Sequence, residues 1–380
     1  MQFTHVRLKN WKNFRTADVA LHGRVFVIGA NASGKSNFLD ALRFLRDIAN
    51  DGLRKAVERR DGVSALRCLS AGSNNKIEIE VAVEEDTSNQ WRYQIVFLQD
   101  NNQRPKVVSE TVWLNSEMLL NRPLAGTDDS DAELLTQTHL EQISVNRSFR
   151  KLVSFFSTVS YQHLIPQAVR DPAGFTSSPV SNDPFGRDFL VRVWNTAANS
   201  REARLRKITE ALKVALPQLN SLTSEMDSSG RPHLVANYSN WRAQGVTQRE
   251  NQFSDGTLRL LGLMWTAFEG AGPLLIEEPE LSLHTEVVRQ IPAMFVKINR
   301  LRREASRQLF VSTHSEQLLS DRSIAPEEVL WLKTTGQGTT IETADSADIA
   351  AMKHGLTAAD VFLPKSAPVN AVQLPLAFAA

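Results

Sequence analysis

The clearest pattern of apolar and polar positions lies between residues 25 and 45. Residues 25–28 are four apolar residues in succession, three of them β-branched, which is typical of a buried strand. After a polar, glycine-containing stretch, Phe38, Leu42 and Leu45 recur at helical spacing. The pattern therefore predicts a buried strand, a loop and an amphipathic helix in that order.

Similar patterns predict most of the remaining elements. Residues 77–84 alternate strictly between apolar and polar, as expected for a half-buried antiparallel strand. Further strands are predicted at 3–8, 16–21, 91–98, 106–114, 155–163, 222–226 and 233–238, and at the apolar runs that begin at 274 and 308. Helical spacing predicts a long helix over 188–216, broken near 199–200, and another helix after residue 256. The chain is therefore expected to be α/β, with an antiparallel β subdomain.

Changes in composition along the chain divide it into four predicted segments. A polar, acidic run at 125–133 is expected to be an exposed loop, and 170–187 is rich in Pro, Gly, Ser and Asp, as loops and hinges are. The predicted segments are lobe I at 1–170 with an insertion at about 115–150, a helical lid region at 171–240, lobe II at 241–363, and a flexible tail at 364–380.

Composition adds few constraints. Lys and Arg number 43 against 42 for Asp and Glu, so a surface for nucleic acid would have to be a local patch. The single cysteine, Cys68, excludes an internal disulfide and fits a reducing compartment. No stretch approaches the ~20 apolar residues that a membrane span needs. We therefore expect a cytoplasmic protein with no membrane partner.

The loop after the first buried strand carries the most specific chemistry. Residues 29–36 read Gly-Ala-Asn-Ala-Ser-Gly-Lys-Ser, the G-x-x-x-x-G-K-S phosphate-binding pattern in its strand–loop–helix context. Lys35 is expected to reach the β- and γ-phosphates of ATP, and the Ser36 hydroxyl to bind Mg²⁺. The expected nucleotide-binding residues are Gly29, Ala30, Asn31, Ala32, Ser33, Gly34, Lys35, Ser36 and Asn37.

Polar residues also follow two later apolar strands. Glu277 and Glu278 end the strand that begins at residue 274, and we assign Glu277 to the metal and Glu278 to the attacking water. His314 follows the strand that begins at 308, where an imidazole could contact the γ-phosphate or the water. The predicted catalytic residues are therefore Lys35, Glu278 and His314.

Four segments together resemble the motifs of one superfamily. These are residues 29–37, 254–261, 277–280 and 312–315. They are similar to motifs of the ABC-type ATPases of the RecF, SMC and overcoming-lysogenization-defect kind, including a bacterial AAA ATPase group of phage-defence operons. The resemblance implies a P-loop NTPase of ABC-ATPase type, with a mixed central sheet, an antiparallel β subdomain and a helical lid.

The resemblance also implies how the site is completed. In that family two ATPase heads enclose two nucleotides, so Ser254 and the N–H of Gly256 would contact the γ-phosphate of ATP held by a second copy. The metal-binding Asp of many members is Glu277 here. A glutamine that touches metal and water would be Gln162 or Gln167, with Gln167 preferred. The implied assembly is a homodimer or a higher homo-oligomer.

The resemblance implies an ATP-driven switch. ATP would close the dimer and hydrolysis would reopen it, controlling a separate nuclease or effector subunit in anti-phage defence or DNA repair. The alternatives are a RecF-like DNA-binding clamp without an effector, a non-hydrolysing nucleotide-dependent scaffold and, more weakly, a transporter ATPase. Basic clusters at 201–207 and 300–307 could hold DNA, although both are also ordinary helix exteriors, and no aromatic residues are interleaved with them.

Overall fold

Residues 1–126, 128, 131–172, 183–239, 245–302 and 306–366 are described by the structure, a computed structural model. Within them the chain forms two units. Residues 1–159, 272–275 and the described residues from 307 onward belong to the first unit, and 160–271 and 276–306 belong to the second. Among the described residues, no helix combines the length and the apolar character needed to cross a membrane.

The strands and helices have the following bounds. The strands are β1 (Gln2–Trp11), β2 (Phe14–Ala20), β3 (Arg24–Gly29), β4 (Ile77–Glu84), β5 (Gln90–Gln99), β6 (Pro105–Leu114), β7 (Glu117–Arg122), β8 (Ser160–Gln162), β9 (Leu219–Met226), β10 (Pro232–Tyr238), β11 (Val246–Arg249), β12 (Leu274–Glu277), β13 (Leu309–Ser312), β14 (Val329–Thr335) and β15 (Gly338–Glu342). The helices are α1 (Lys35–Asp51), α2 (Leu53–Glu58), α3 (Val63–Leu66), α4 (Arg150–Ser157), α5 (Pro166–Arg170), α6 (Phe189–Asn195), α7 (Ala198–Ala215), α8 (Asp255–Phe268), α9 (Thr285–Arg289), α10 (Ile291–Leu301), α11 (Glu316–Leu319), α12 (Ser346–Lys353) and α13 (Ala358–Ser366).

The first unit contains the predicted antiparallel sheet. Its strand order is β2-β1-β4-β5-β6-β7, and every neighbouring pair is antiparallel. The alternation that predicted β4 is present, because Ile77, Ile79, Val81 and Val83 are buried and the residues between them are half-buried. Behind this sheet, Phe97 of β5 stacks against Phe44 of α1 at 5.7 Å between ring centroids. The contact fixes the phosphate-loop helix against the sheet.

A second, mixed sheet of the first unit carries the phosphate loop. β3 lies between β13 and β14 and is parallel to both, while β14 and β15 are antiparallel. In the register of β3 and β13, Val27 lies opposite Ser312. Because parallel strands end at the same edge of a sheet, the loop after β3 and the residues after β13 share one edge.

The second unit has its own core. β9, β10 and β11 form an antiparallel sheet, and an apolar cluster joins it to α6, α7 and α8. The members of this cluster include Leu205, Ile208, Leu212, Leu222, Leu234, Leu258, Leu261 and Trp265. The long helix predicted over 188–216 is broken as expected, but the break lies at 196–197 rather than at 199–200.

One prediction of local structure is wrong, and one loop differs from its prediction at a single residue. The run at 155–163 is not one strand, because α4 continues to Ser157 and β8 covers only three residues. Phe155 and Phe156 both pack against Phe3, with ring centroids at 4.9 and 6.0 Å, and this packing overrides their β propensity. In the predicted loop at 125–133, residues 125, 126, 131 and 133 are exposed as expected, whereas Asp128 is buried and pairs with Arg122 at 2.7 Å.

The predicted flexible tail begins inside a helix. α13 ends at Ser366, so residues 364–366 are helical, and the Lys365 ammonium pairs with Asp348 of α12 at 2.5 Å. The rest of the tail, 367–380, lies outside the described residues, as do 173–182 of the predicted hinge.

An ionic cluster ties α1 to the chain around it. Asp40 of α1 pairs with Lys12 and with Arg60, each at 2.7 Å, and Arg60 also reaches Asp47 at 2.8 Å. Burial by itself would raise the pKa of the Asp40 carboxyl. The charges and hydrogen bonds of Arg60 and Lys12 overcome that effect and lower the pKa to about 2.

We expect Asp40→Asn to destabilise the protein at pH 7 by about 2 kcal/mol. The pKa of Asp40 is lower in the folded than in the unfolded chain. Its contribution to the free energy of unfolding is therefore complete above the unfolded value of 3.8 and is lost as the pH falls toward 2. Urea unfolding of wild type and variant at pH 7 and near pH 3 should show a difference that shrinks at the lower pH. Asp61→Asn, at an exposed position of the same segment, is the control. Equal destabilisation by Asp40→Asn at the two pH values would contradict the lowered pKa of Asp40.

Candidate nucleotide-binding site

The loop between β3 and α1 has the backbone geometry of an anion cradle. Gly34 precedes the first residue of α1 with a φ of +96°, and Ala32 has a φ of +62°. A Cβ atom at Gly34 would overlap the side-chain amide of Asn13, so no other residue fits. The loop leads directly into the helix N-terminus, where free N–H groups favour a phosphate.

Lys35 is folded back over this loop. Its side chain is buried, and its Nζ donates hydrogen bonds to the carbonyls of Gly29 at 2.9 Å and Ala30 at 3.2 Å. Ser36, the next residue, is exposed in the first turn of α1. The ammonium therefore already lies at the loop, and the hydroxyl is accessible beside it.

A polar network supports the loop from behind. The Asn13 Nδ2 group donates to the Ser33 carbonyl at 2.8 Å and to Thr339 Oγ1 at 2.7 Å, while its Oδ1 accepts from Asn37 Nδ2 at 2.8 Å. Thr339 Oγ1 also donates to the Ser33 carbonyl, at 2.9 Å. The sequence analysis missed Asn13 and Thr339, because they lie 20 and 306 residues away from Ser33.

A cavity of about 870 Å³ opens beside the loop in the same unit. Asn13 and Asn37 border it on the loop side, and residues of the segment 64–70 border it on the other. Within the described part of the chain, the exposed Arg67 has no carboxylate partner, and Leu69 is 95% exposed. Lys12, Arg43, Arg59, Arg60 and the carboxylates of Asp40 and Asp61 also line the cavity. Its lining therefore combines several cations, two carboxylates, amides and an apolar side chain.

His314 lies at the edge of the mixed sheet that carries the phosphate loop. The Thr313 N–H donates to the Val27 carbonyl at 3.1 Å, and the Ser315 N–H donates to Thr313 Oγ1 at 3.0 Å. His314 stands between these two anchored residues and is exposed. Its backbone position is therefore fixed relative to β3.

The two predicted glutamates belong to the second unit and have unusual environments. Glu278 has a φ of +43°, a strained conformation for a residue other than glycine and one that often marks a functional position. Glu277 is only 9% exposed, and its buried Oε1 has no hydrogen-bond partner among the described residues. A buried, unsatisfied carboxylate oxygen is costly unless a cation binds it.

His163 approaches the same carboxylate and was not predicted. Its Nδ1 lies 3.8 Å from Glu277 Oε2 and, like the Oε1 of that glutamate, has no hydrogen bond in the described structure. The preceding Gln162 is 2% exposed, with an unpaired Nε2. The sequence feature that could have pointed to these two residues is that Gln162 and His163 are polar residues at the end of an apolar run.

Gln167, which the sequence analysis preferred over Gln162, has a different environment. It is exposed on α5, and its Oε1 accepts a hydrogen bond from Arg170 Nη1 at 3.3 Å. Of the two glutamines, Gln162 is the buried one with an unpaired amide nitrogen, whereas Gln167 is exposed and hydrogen-bonded.

The predicted signature segment begins α8. Ser254 is exposed and caps the helix, its Oγ accepting the Thr257 N–H at 3.1 Å. A Cβ atom at Gly256 would lie 2.7 Å from the Ser282 carbonyl oxygen, so this glycine permits a close backbone approach. Arg170 holds the segment, because its Nη2 binds the Phe253 carbonyl and the Asp255 carboxylate, both at 2.6 Å.

Arg259 of α8 connects the signature helix to the glutamate pair. It is buried, and its Nη1 donates to the Glu278 carbonyl at 3.4 Å. Burial lowers the pKa of its guanidinium, and the nearby carboxylates, among them Glu280, oppose that effect. Arg259 therefore links the first turns of α8 to the backbone of Glu278.

Comparisons with known proteins identify the family of the chain. Residues 24–320 match the family model described as AAA domain, putative AbiEii toxin, Type IV TA system. An ATP/GTP phosphatase of Helicobacter pylori is 21% identical over 340 residues, covering 83% of this chain and 85% of that protein. Two further relatives match only in short segments, so the chain spans a small part of each. Endonuclease GajA of Bacillus cereus is 43% identical over 47 residues, 8% of its length, and RecF of Clavibacter sepedonicus is 30% identical over 89 residues, 22% of its length.

Solved structures show the fold. An SMC head bound to the C-winged helix domain of ScpA aligns with a TM-score of 0.57 and 15% identity, covering 93% of this chain and 100% of that one. A Pyrococcus furiosus SMC head with an extended coiled coil, bound to the C-terminal domain of ScpA, gives a TM-score of 0.53 at 14% identity, covering 93% and 98%. The predicted fold class is confirmed. The chain belongs to the AAA domain, putative AbiEii toxin, Type IV TA system family and has the RecF/SMC-like ABC-ATPase fold.

Proposed function

We propose that the protein binds and hydrolyses ATP and uses the cycle to switch a homodimer between closed and open states. The observation that supports this most directly is the phosphate loop, with the left-handed backbone of Gly34, its polar support and Lys35 folded over it. The names of two relatives agree with this proposal: one is called an ATP/GTP phosphatase, and another is a DNA replication and repair protein.

The nucleotide is divided between two features of the first unit. Its phosphates bind the N–H groups of residues 29–37, and its nucleoside enters the adjoining cavity of about 870 Å³. Arg67, at the cavity wall, supplies a positive charge toward the phosphates. The buried Lys35 ammonium would exchange its two carbonyl partners for phosphate oxygens, a charge-assisted and therefore stronger interaction.

Mg²⁺ fits the available oxygens. Among the described residues, no three His, Cys, Asp or Glu side chains are grouped to hold a metal, so most ligands must come from phosphates and water, as is usual for Mg²⁺. We assign as its protein ligands the Ser36 hydroxyl and the Glu277 carboxylate, whose Oε1 has no hydrogen bond in the described structure. When bound, the ion would neutralise negative charge on the phosphates.

Hydrolysis needs a residue that activates water. Glu278 is assigned this role, because its strained backbone holds a carboxylate directly after the metal ligand. His314 is assigned to the γ-phosphate or the attacking water. In the position for which a glutamine was expected, we place Gln162 and His163 ahead of Gln167, because both carry a buried unpaired nitrogen and His163 is 3.8 Å from Glu277.

The switch requires a second copy of the chain. Ser254 and the N–H of Gly256 lie at an accessible helix N-terminus, which attracts anions, and we propose that they bind the γ-phosphate held by the partner copy. Arg259 then relays closure to Glu278 through its bond to that residue's carbonyl. The output is the control of a separate nuclease or effector subunit in the cytoplasm, in anti-phage defence or DNA repair. The short match to endonuclease GajA supports this assignment.

We expect Glu278→Gln to bind ATP with normal affinity but to hydrolyse it at least about 100-fold more slowly, because the amide cannot take a proton from water. The variant should also accumulate as a dimer with ATP and Mg²⁺, because the closed dimer reopens only after hydrolysis. Phosphate release and sedimentation velocity measure the two effects.

Glu286→Gln is the matched control, because Glu286 is an exposed glutamate of the same unit. It should hydrolyse ATP like the wild type. Normal hydrolysis by Glu278→Gln would show that Glu278 is not the general base. A wild-type protein that binds ATP without hydrolysing it would favour a nucleotide-dependent scaffold instead.

We expect Asn13→Ala to raise the Kd for ATP by about tenfold, because the loss of its bonds to Ser33, Thr339 and Asn37 releases the phosphate loop. Isothermal titration with a non-hydrolysable ATP analogue provides the measurement. Asn115→Ala is the control, since Asn115 fixes the β6–β7 turn of the same unit by accepting the Gln90 N–H. Equal Kd values for the two variants would show that the network does not shape the site.

A further inference from the structure

The imidazole of His233 lies between two carboxylates in the second unit, away from the residues assigned to ATP chemistry. Its Nδ1 is 2.8 Å from Oε1 of Glu250, and its Nε2 is 3.3 Å from Oδ2 of Asp227. An ionised carboxylate only accepts hydrogen bonds, and a neutral imidazole carries a single N–H. Only the imidazolium, with an N–H on each ring nitrogen, can therefore donate to both carboxylates at once.

Asp227 holds one side of this bridge as an anion. It lies in the turn between β9 and β10, where its Oδ1 accepts the N–H groups of the exposed Arg231 at 2.8 Å and of Ser229 at 2.9 Å. The Ser229 hydroxyl donates to the same oxygen at 2.8 Å. These hydrogen bonds lower the pKa of the Asp227 carboxyl well below its usual range. Near neutral pH this side chain is therefore a fixed, charged acceptor.

Glu250 holds the other side and is buried. It is only 3% exposed, and its Oε2 accepts the Leu234 N–H at 2.9 Å. Among the residues that the structure describes, His233 is the one cation that pairs with this carboxylate. A buried carboxylate without a counter-charge is strongly unfavourable. The proton on His233 therefore compensates the buried charge of Glu250.

The surroundings of His233 favour its protonated form. Burial by itself would lower the pKa of the imidazole, but the hydrogen bonds to Glu250 and Asp227 outweigh burial and raise the pKa above its ordinary value of 6.5. Arg249 of β11 opposes this rise. Its guanidinium is paired at 2.7 Å with Glu225, the residue opposite His233 in the register of β9 and β10, so these two further charges largely cancel.

The face of β10 that carries His233 is not the face that packs against α6. Successive residues of a strand point to opposite faces, and the neighbouring Leu234 belongs to the apolar cluster that includes Phe189 and Val193 of α6. The charged groups that face His233 are therefore those of β9, β11, the β9–β10 turn and the turn at 250–252. Their balance is negative, as a stable imidazolium requires.

Glu250 also begins the turn that leads to the signature segment. Residues 250–252 form a single 3-10 turn, and the Phe253 N–H donates to the Glu250 carbonyl at 3.2 Å. Phe253 is buried, and Ser254 follows it as the cap of α8. Only four residues separate the buried carboxylate from the proposed phosphate-binding serine. The position of Glu250 therefore helps to set the position of Ser254.

We propose that His233 is a positioning residue for the signature segment, which its imidazolium holds by bridging Asp227 and Glu250. Loss of the proton removes one of the two hydrogen bonds and leaves Glu250 buried without its counter-charge. Because the pKa of His233 is raised on folding, the bridge contributes fully below the ordinary value of 6.5 and is lost as the pH rises through the folded-state pKa. The consequence for dimerisation rests on the proposed role of Ser254.

Hydrogen exchange of the full-length protein, followed by mass spectrometry at about pH 6 and about pH 9, tests the bridge directly. The peptides to follow contain the N–H groups of Leu234 and Phe253, which bond to Glu250. His233→Gln is neutral, so these peptides should exchange at least about tenfold faster than in the wild type at the lower pH. At the higher pH, where the wild-type imidazole is neutral, the difference should largely disappear.

His233→Arg carries a permanent charge and donors on several nitrogens. At the higher pH its peptides should exchange at least about tenfold more slowly than those of the wild type. His354→Gln, at an exposed histidine of the first unit, is the control and should exchange like the wild type at both pH values. Each comparison is made at one pH, so the intrinsic pH dependence of exchange cancels.

The proposal would be overturned if His233→Gln exchanged like the wild type at the lower pH. It would also be overturned if this variant exceeded the wild type by the same factor at both pH values, since the role would then be independent of charge. Sedimentation velocity with a non-hydrolysable ATP analogue and Mg²⁺ separates the bridge from the proposed function. Exchange as expected, without a dimer at either pH, would support the bridge and contradict the proposed role of Ser254.

Discussion

The first unit is organised around the close approach of Gly34 to the Asn13 side chain. A phosphate cradle needs several N–H groups turned inward, and that turn requires a left-handed backbone at Gly34. The absence of a Cβ there leaves room for the Asn13 amide, which holds the Ser33 carbonyl and thereby fixes the loop from outside. The loop is therefore ordered by its neighbours before any ligand arrives, so less binding energy is lost in ordering it.

Much of this could be predicted from the sequence, because the signals are local. The strand, loop and helix at 25–45 follow from periodicity and from one motif, and strict alternation identified β4. What could not be predicted is non-local. Asn13 and Thr339 matter only because the folded chain brings them to Ser33, and Phe155 lies in a helix because of its contact with Phe3. The division into lobes at 170 and 240 stays a prediction.

The candidate site residues of the second unit could likewise be predicted only in part from the sequence. The sequence indicated that acidic residues follow β12, but not that Glu278 has a left-handed backbone or that Glu277 is buried with an unpaired oxygen. His163 becomes a candidate site residue only because the structure places its Nδ1 3.8 Å from that carboxylate. Buried polar atoms without partners are unfavourable in a folded protein, so their presence in the second unit at Glu277, His163 and Gln162 points to a ligand that completes them.

The central claim is that the phosphate loop of one copy works with Ser254 of another, and mixing two inactive variants tests it most directly. Lys35→Ala disables the loop, and Ser254→Arg disables the signature, so each alone should be inactive. In an equal mixture, half of the dimers would carry both variants and one intact composite site, which predicts about a quarter of wild-type ATPase activity. A mixture no more active than its components would contradict the account, because the site would then lie within one chain.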